Sequence, residues 1–588
     1  MVVAINSEFL GHRRGVAFMP YKYINSSYFE DCTFISNGGY AGITMWDTRQ
    51  IKIHNCKFDF MNFNGNVLTN GIGAIDATPI ITTSKFNGLK YAIEAHSTMP
   101  KISEKFEVKQ NCNFKNDSIH IQSKGIIGLL VDHNTFLDSN FIGINIQGIS
   151  EYVISDNNLG FYKIAGLNLN NNGIRNKEVI SNQITSLYSQ STYGVILDNI
   201  NSDGALQFII NCFKHRRHDI YGQPKAKLND QGNQFVSNNN FFSNLGSNPE
   251  MNLRNPLAPY TIYYLPPNAV GRQIPHCPRQ TVCPGGVSNH LNQDATSSLD
   301  NPNCLVGLGI PIDPYPYTPT DDGSDGLPVL IQTYETSKQQ LELARQTLAT
   351  YPAGSNDYNN YNSYVASRYS AMAAAQTKLL QYYIAHDMNT ALMSLLQQDE
   401  LKEKGLLIAG EYVRLGQYPQ AEAQYQSLVS LGSEYAKNYE LQKIHLRFLS
   451  DPIQHFPQVS DSILIHQMAL DTGWSSHIAQ SLLRLYYNLD VCLPLILEEE
   501  LTARSASKSV LEPIEILSQD EECIRLKTDC TSDPIDLYVV DLMGKIRYNQ
   551  HSYCTQNSIT VPIAHLKSGI YFIFIAGKQT VKIIKSNE

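Results

Sequence analysis

Residues 51–58 read IKIHNCKF: a short apolar pair, then small polar residues, then one large apolar residue. The same pattern returns along the first 250 residues of the chain. The other copies are FEDCTF at 29–34, VKQNCNF at 108–114, VDHNTF at 131–136, VISDNNL at 153–159 and FVSNNNF at 235–241. Self-similarity of this kind indicates a repeat architecture, so the period of the repeat decides the fold of the first half.

The large apolar residues that close the copies lie 22 to 29 residues apart. Helical solenoids have longer periods, in roughly the 30s and 40s, and these units are rich in Asn, Gly and short β-branched runs. We therefore expect a β-solenoid in which these residues fill one apolar column. They are Phe34, Phe58, Phe86, Phe114, Phe136, Leu159, Ile184, Phe213 and Phe241.

A small side chain stands two positions before most of these residues, and we expect it to stack on its counterpart in the next coil. These small residues are Cys32, Cys56, Ser84, Cys112, Asn134, Asn157, Asn182 and Asn239. In the coil that ends at Phe213, we expect the match to slip by one, to Cys212. Stacked Asn amides can bond from coil to coil, and buried Cys acts as a small apolar residue. The alternative for the cysteines is a disulfide such as Cys32 to Cys56, and their spacing predicts no metal site.

A second short strand recurs within the same units. Its copies are AGITM at 41–45, YAIEA at 91–95, SIHIQ at 118–122, IGINI at 142–146, AGLNL at 165–169 and YGVIL at 193–197. Alternate residues of a strand face the same way, so stacked coils would form parallel sheets around the apolar column. This pattern resembles the right-handed parallel β-helix of the pectate-lyase-like class over residues 1–250. The resemblance implies the fold, which enzymes, adhesins and inert spacers all use.

The composition changes after the repeats. Residues 251–330 are rich in Pro and Gly and predict a linker or an irregular cap on the solenoid. Cys277, Cys283 and Cys304 lie there, and one disulfide among them would form in an oxidising compartment, with the pair left open.

Residues 331–500 space their apolar residues at three and four, which predicts helices. GEYVRLGQYPQAEAQYQSLVSLG at 410–432 resembles one tetratricopeptide repeat, with Tyr412, Leu415 and Gly416 in its first half. Its second half matches at Tyr418, Ala421, Tyr425 and Leu428. The resemblance implies paired helices in series, used either for packing or as a peptide-binding groove.

The last part of the chain, 510–588, returns to strand patterns and predicts a small antiparallel β-sandwich with a hairpin turn at Gly544. It resembles the C-terminal sorting domain of the type IX secretion system of Bacteroidetes. The residues that carry the resemblance are Asp541, Leu542, Gly544, Lys545, Leu566, Ser568, Gly569, Ile570, Tyr571, Lys582 and Lys585. It implies passage across the outer membrane by the secretion and sorting machinery, removal of the tail, and an extracellular or outer-membrane surface location.

Two features depart from that family. Its Pro-Asn-Pro-like opening is reduced to VLEPIEI at 510–516, and the start MVVAINSEFLGHRRG does not have the pattern of an export signal. Since the first residues already read like solenoid sequence, we expect that Met1 lies inside a longer protein with further coils.

Charge and hydropathy argue against a nucleic-acid partner and against a transmembrane helix. The net charge is -9 and the pI is about 6.0, which argues against a nucleic-acid partner because phosphate binding needs a concentrated basic face. We find no apolar stretch of about 18 residues, so the sequence predicts no transmembrane helix.

Few residues of the solenoid are candidates for chemistry. Asp132 and Asp156 lie close to the stacking positions and would cap turns or contact a cation or a sugar, with Ca²⁺ as the cation considered and no other cofactor predicted. The run His215, Arg216, Arg217 and His218 would either form a solvated loop or hold an acidic sugar. We interpret His54, His96, His120 and His133 as structural.

Three hypotheses for the function follow. The preferred one is a surface solenoid that binds or displays without catalysis, and it predicts exposed aromatic residues such as Tyr152, Tyr162 and Tyr188 along one face. The second is a polysaccharide lyase or glycoside hydrolase, which predicts two carboxylates and a base converging in a groove. The third is a surface protein-interaction module, which predicts a concave apolar groove near Tyr412 and Tyr425.

Overall fold

The structure is a computed structural model of the 588-residue chain. It divides into two compact units, Met1–Leu485 and Tyr486–Glu588. In the first unit it describes residues 2–11, 14–24, 27–36, 40–60, 70–139, 141–170, 177–186, 193–198, 206–209, 211–215, 218–223, 226, 253–254, 263–264, 291–292, 326–353, 356–398, 404–452, 454–471 and 473–485. In the second unit it describes residues 486–489, 515–519, 523–527, 535–541, 546–552, 558–563, 566, 569–575 and 581–585.

The repeats build a right-handed parallel β-helix, as the sequence predicts. The strands are Val3–Ile5 (β1), Glu8–Leu10 (β2), Arg14–Phe18 (β3), Tyr21–Ile24 (β4), Tyr28–Glu30 (β5), Thr33–Ser36 (β6), Ala41–Trp46 (β7), Thr48–His54 (β8), Lys57–Phe60 (β9), Asn70–Ile75 (β10), Thr78–Thr82 (β11), Lys85–Asn87 (β12), Tyr91–His96 (β13), Ile102–Lys109 (β14), Asn113–Lys115 (β15), Ile119–Lys124 (β16), Ile127–Asp132 (β17), Thr135–Ser139 (β18), Ile142–Gln147 (β19), Glu151–Ser155 (β20), Asn158–Tyr162 (β21), Ala165–Asn170 (β22), Lys177–Ile180 (β23), Gln183–Ser186 (β24), Tyr193–Asp198 (β25), Leu206–Ile209 (β26), Cys212–His215 (β27), His218–Gly222 (β28), Leu253–Arg254 (β29), Tyr263–Tyr264 (β30) and Leu291–Asn292 (β31).

Equivalent strands of successive coils pair in parallel and form three long sheets. Sheet A runs β1-β5-β8-β11-β14-β17-β20-β23-β26, with β4 also on β8. Sheet B runs β2-β6-β9-β12-β15-β18-β21-β24-β27, and sheet C runs β3-β7-β10-β13-β16-β19-β22-β25-β28-β29. The stretch IKIHNCKF at 51–58 therefore contains the end of a sheet A strand, a turn at Asn55, and the start of a sheet B strand. Strands β30 and β31 pair only with each other among the described residues.

The column of large apolar residues is confirmed on sheet B, where it starts one coil earlier, at Phe9. Neighbouring Phe rings stack with centroids 4.5 to 4.9 Å apart and nearly parallel planes. The in-register residues are Phe9, Phe34, Phe58, Phe86, Phe114, Phe136, Leu159, Ile184 and Phe213. Phe241 lies outside the described residues. The strict register keeps every ring in the interior, where burial of apolar area stabilises the coil.

The ladder of small side chains is confirmed as well, with one correction. Asn134, Asn157 and Asn182 each accept a hydrogen bond from the preceding rung, at 2.9 to 3.1 Å from the backbone N–H. Asn211 continues the ladder by accepting from the Asn182 N–H at 3.0 Å, so the predicted slip to Cys212 is wrong. Asn211 stands two positions before Phe213, so the spacing holds. Asn239 lies outside the described residues.

The cysteines of the ladder are free thiols rather than a disulfide. Cys32, Cys56 and Cys112 are all buried, and the Cys56 thiol donates to the carbonyl oxygen of His54 at 3.3 Å. Burial raises the pKa of the Cys56 and Cys112 thiols to about 12. These side chains therefore act as small packing residues.

The region predicted as helical forms eight described helices. They are Leu327–Leu348 (α1), Asn356–Ala385 (α2), Asn389–Gln398 (α3), Lys404–Arg414 (α4), Tyr418–Ser427 (α5), Ser433–Ser450 (α6), Val459–Ala469 (α7) and Ser475–Tyr487 (α8), with a 3₁₀ turn at Val429–Leu431. Gly416 joins α4 to α5 with φ of 72°, and Gln417 donates its N–H to Tyr412 O at 2.8 Å. The pair lies where the tetratricopeptide-like motif was expected, but membership of that repeat family is not confirmed.

The helices pack on the solenoid within the first unit, through a second apolar cluster. Met99 and Ile149, in turns between sheets C and A, join it from the solenoid side, as do Ile102 and Ile127, the first residues of two sheet A strands. Gly410 of α4 lies so close to the Pro100 carbonyl oxygen that a Cβ atom there would collide with it. The helical region is therefore attached to one edge of the β-helix over several coils.

The second unit contains antiparallel strands, as the sequence predicts. They are Glu515–Gln519 (β32), Cys523–Lys527 (β33), Ile535–Asp541 (β34), Ile546–Ser552 (β35), Ser558–Pro562 (β36), Gly569–Ile575 (β37) and Val581–Lys585 (β38). They form a three-stranded sheet, β32-β33-β36, and a four-stranded sheet, β35-β34-β37-β38. The packing of the two sheets as a sandwich and the domain limits stay predictions, as does the cap at 251–330. Gly544, Cys277, Cys283 and Cys304 lie outside the described residues.

Candidate functional site

A polar edge runs along the β-helix where sheet A turns into sheet B. Polar residues at these turns adopt the left-handed conformation, with φ of 54° at Asp31, 49° at Asn55, 52° at His133 and 52° at Asp156. Asn, Asp and His tolerate this conformation better than most residues other than glycine. The repeat therefore places polar side chains at one edge of successive coils. We call this edge the turn ridge, and it comprises the two residues that precede each rung of the small-residue ladder.

Three titratable groups meet on the turn ridge. One carboxylate oxygen of Asp132 lies 2.7 Å from His133 Nδ1, and the other accepts a hydrogen bond of 2.5 Å from Ser155 Oγ. Ligand atoms of Asp132, His133 and Asp156 all lie within 4.8 Å of one another. The His133 side chain is 54% exposed and that of Asp132 is 17% exposed, so the cluster is open to solvent.

The electrostatics of the cluster favour a ligand that brings positive charge or hydrogen-bond donors. The pKa of Asp156 is raised, mainly by partial burial. His133 lowers that pKa and the nearby Asp132 carboxylate raises it, so the two carboxylates repel each other. A cation or a donor hydroxyl placed between them would relieve this repulsion.

The donor set can be compared with the Ca²⁺ considered from the sequence. Calcium takes six to eight oxygen ligands, whereas this cluster offers two carboxylates and one imidazole nitrogen. Such a mixed nitrogen and oxygen set fits Zn²⁺ or a related transition metal better than Ca²⁺. A Ca²⁺ role at Asp132 and Asp156 stays a prediction.

Asp132 and Asp156 are not at equivalent coil positions, although both were selected from the sequence. Asp132 pairs in register with Ser155, so Asp156 is the counterpart of His133. The carboxylates meet because neighbouring positions of adjacent coils lie close together. His133 was interpreted as structural, yet it stands among the candidate ligands. The sequence does place His133 directly after Asp132 and one coil before Asp156, and this position predicts that it lies close to both carboxylates.

The second group of candidates is only partly described. The backbones of His215 and His218 lie at the end of β27 and the start of β28. Arg216 and Arg217 lie outside the described residues. A role for this run therefore stays a prediction.

A larger set of charged groups is buried between sheet C and α8. Arg484 donates from Nε to Glu94 Oε2 at 3.2 Å, and its Nη2 forms an ion pair with the same oxygen. Glu94 Oε1 lies 3.0 Å from His96 Nε2, and His96 Nδ1 lies 3.3 Å from Ser481 Oγ. Glu94, His96 and Ser481 are each at most 2% exposed. The groups satisfy one another inside the protein.

A second polar network joins the turn after β13 to helix α6. Asp76 accepts a hydrogen bond of 2.6 Å from Thr98 Oγ1, which lies 3.0 Å from His445 Nε2. Lys101 Nζ lies 3.6 Å from Asp76. Burial is the dominant effect on the pKa of His445 and lowers it to about 4, so the ring is neutral at pH 7. These groups hold the helices to the solenoid.

The prediction of a row of exposed aromatic residues is wrong at two of its three positions. Tyr152 and Tyr162 are each 1% exposed and belong to the apolar core. Tyr152 is in register with Leu129 of the preceding coil, so it lies in the apolar interior of sheet A. Tyr188 lies outside the described residues.

The expected sorting residues fall on paired strands of the tail. Asp541 ends β34 in register with Tyr571 of β37, and Gly569 is in register with Lys585 of β38. Lys582 pairs with Phe572, next to Ile570 and Tyr571. The motif residues that are distant in sequence are thus neighbours in one sheet, whereas Gly544 and Lys545 lie outside the described residues.

Comparison with known proteins gives the class of this protein. It is an exported protein built on a parallel β-helix: residues 519–586 match the secretion system C-terminal sorting domain. More particularly, the tail is a type IX sorting domain, which indicates passage by that secretion machinery and attachment at the cell surface or outer membrane. No described helix is both long and apolar enough to cross a membrane. No curated protein matches the chain.

Two solved structures are similar to parts of the chain. The periplasmic alginate epimerase AlgG is 11% identical, with a TM-score of 0.25 over 34% of this chain and 56% of the epimerase. A tailspike protein of E. coli bacteriophage HK620, in complex with a pentasaccharide, is 12% identical, with a TM-score of 0.30 over 43% of this chain and 48% of the tailspike. The chain spans about half the length of these two structures.

Proposed function

We propose that this protein uses its β-helix to bind carbohydrate at the cell surface, without cleaving it. The observation that carries the proposal is the convergence of Asp132, His133 and Asp156 on the exposed turn ridge. Carboxylates and imidazole bond sugar hydroxyls as acceptors and donors. The sorting domain supplies the location at which such a ligand would be met.

The ridge extends through the coils that precede this cluster. Asn55 Nδ2 donates to Asp31 Oδ1 at 2.5 Å, and His54 Nδ1 lies 2.9 Å from Thr82 Oγ1. Each pair joins adjacent coils and is exposed, so polar groups recur at the spacing of about 4.8 Å between strands. A linear polymer with repeating hydroxyls matches such a row better than a single small molecule does.

The test compares the full chain with a double variant, Asp132→Asn with Asp156→Asn. Affinity electrophoresis in gels containing soluble polysaccharides should retard the wild-type protein in at least one of them, without release of reducing ends. The double variant should lose at least tenfold in affinity. The matched control is Asp138→Asn, since Asp138 also adopts the left-handed conformation but lies outside the cluster. Equal retardation of wild type and double variant would refute the role of the ridge.

The same cluster favours a second candidate, a polysaccharide lyase or glycoside hydrolase. Carboxylates about 5 Å apart are the arrangement of retaining glycosidases, and the Asp132 and Asp156 oxygens are at most 4.8 Å apart. Against it, the His133 side chain of the cluster is 54% exposed, and Asp132 is hydrogen-bonded by Ser155 and His133. Release of reducing ends or of unsaturated products that stops in Asp156→Asn would favour this candidate.

A peptide-binding role of the helical region is the least supported candidate. Tyr425 is 1% exposed, and it belongs to the apolar cluster that includes Met99 of the solenoid. Gln442 of α6 donates to the Thr98 carbonyl oxygen at 2.8 Å. The solenoid thus occupies the helix surfaces near the position expected for a groove.

A further inference from the structure

A row of amide side chains lies on the outer face of sheet C, whereas the turn ridge lies between sheets A and B. Gln122, Asn145 and Asn168 occupy equivalent positions on β16, β19 and β22. They are 2%, 6% and 3% exposed, respectively. They belong to the opposite set of strand positions from Ile121, Ile144 and Leu167, which fill the solenoid core. The row is therefore polar, outward-facing and nearly buried.

The amides bond to one another in one direction along the row. Asn145 Nδ2 donates to Gln122 Oε1 at 2.8 Å, and Asn168 Nδ2 donates to Asn145 Oδ1 at 2.9 Å. The next position of the row is Ile196, which is fully buried and has no side-chain donor. Asn168 Oδ1 consequently has no hydrogen-bond partner in the described structure.

A second acceptor two residues along the same strand is also unmatched. Asn170 Oδ1 is buried without a partner, while its Nδ2 donates to Asp198 Oδ2 at 3.2 Å. Residues two apart on a strand face the same side, so both oxygens belong to the outer face of β22. Buried acceptors are rarely left without a partner, so two of them side by side indicate a place where a ligand supplies donors.

The assignment of amide oxygen and nitrogen does not remove the mismatch. If every amide of the row were turned round, Asn168 would present an unmatched Nδ2 instead of an unmatched Oδ1, because Ile196 can neither donate nor accept. A hydroxyl group matches either arrangement, since it both donates and accepts. Hydroxyls are therefore the ligand group that the end of this row fits best.

The site opens to solvent at one side, because Asn170 and Asp198 are only half-buried. The carboxylate of Asp198 adds negative charge next to the two amide oxygens, which disfavours an acidic sugar. We propose that Asn168, Asn170 and Asp198 form a binding site for the hydroxyls of a neutral sugar on the outer face of β22 and β25. The inference rests on the proposed carbohydrate-binding function but uses residues separate from the turn ridge.

Isothermal titration of the full chain with cellohexaose, mannohexaose and hexagalacturonate tests this site. At least one neutral hexaose should bind the wild type, and Asn168→Ala and Asn170→Ala should each weaken that binding at least tenfold. Asn113→Ala on sheet B is the matched control and should bind as the wild type does. Hexagalacturonate should not compete for the site.

Folding of each variant is checked by its circular dichroism melting curve. If Asn168→Ala fails to fold, the binding of the neutral hexaose is measured with Asn170→Ala and Asp198→Asn instead, since both positions are only half-buried. If neither neutral hexaose binds the wild type, the proposal is overturned, and ordered water is the occupant of the site. Unchanged binding in the variants that fold would overturn it as well. Loss of binding only in the Asp132→Asn and Asp156→Asn variant would keep the proposed function and refute this site.

Discussion

Glu94 of β13 and Arg484 of α8, which are 390 residues apart in sequence, form a buried ion pair. The pair joins the solenoid to the last helix of the first unit, and both side chains are at most 7% exposed. The helical region therefore packs on part of the outer face of sheet C.

Replacing Arg484 should loosen the helical region. Arg484→Met leaves Glu94 buried without its main counter-charge, and breaking such a pair costs about 3–5 kcal/mol. The chain has two tryptophans, and both lie near α6, with Trp46 stacked on Phe448 and Trp474 against Tyr435. Tryptophan fluorescence during urea unfolding therefore reports this contact. Arg447→Met, which breaks an exposed pair with Asp461, should change stability by less than about 1 kcal/mol. Equal midpoints for the two variants would contradict the role of the buried pair.

The asparagine ladder should be sensitive to a single deletion. Asn157 donates to Val131 O at 2.9 Å and to Asn182 Oδ1 at 3.0 Å, and it accepts from Asn134. Asn157→Ala should therefore lower the free energy of unfolding by about 2–4 kcal/mol, as buried groups lose partners. The adjacent Asn158 is exposed, and Asn158→Ala should cost less than about 0.5 kcal/mol in the same thermal unfolding experiment. A loss of similar size in both variants would argue against the ladder.

Replacing a glycine in α4 tests the packing of this helix, because the sign of the change in stability depends on that packing. Gly→Ala inside a helix ordinarily stabilises by up to about 1 kcal/mol. Gly410→Ala should instead destabilise, because the new methyl group would meet the Pro100 carbonyl oxygen and Lys101. Ser394→Ala on the exposed side of α3 is the control and should be neutral or slightly stabilising. A stabilised Gly410→Ala protein in urea unfolding would show that α4 does not pack on this turn.

The stability of the first unit should fall in mild acid. His445 has a pKa of about 4 in the folded state against an ordinary value of 6.5, because it is buried, with Lys101 further lowering and Asp76 raising that pKa. Since the unfolded state binds a proton first, stability is lost as the pH falls from about 6.5 to about 4. Asp76 has a lowered pKa, so its contribution is lost only below about pH 3.8.

The measurement is urea unfolding at several pH values between 7.5 and 4. His96 and His477 are also buried with lowered pKa values, so they act in the same direction. His445→Gln should flatten part of the pH dependence, on the order of 3 kcal/mol at pH 4. A variant with the full wild-type pH dependence would contradict the assignment to His445.

The interior of the solenoid was predictable because its signal repeats. Phe58, Phe86 and Phe114 recur at a nearly constant spacing, and a register error of one residue would turn each ring to the other face of the sheet. The ladder prediction was wrong at one rung, where Cys212 was expected in place of its neighbour Asn211.

The outer surface was less predictable. The contact of Asp132 with His133 and Asp156 depends on the offset between neighbouring coils, which varies with turn length. The buried positions of Tyr152 and Tyr162 depended on which face of the strand meets the core, and tyrosine is compatible with either face.

The coil period, the apolar column, the helical region and the sorting tail could be predicted from the sequence, because each is a local pattern that repeats or matches a motif in order. Packing in three dimensions sets which outward polar residues are covered, as Glu94 is by Arg484, and which stay open, as His133 does. Contacts between sheet faces and helices hundreds of residues away depend on that packing, and they leave no regular spacing along the chain.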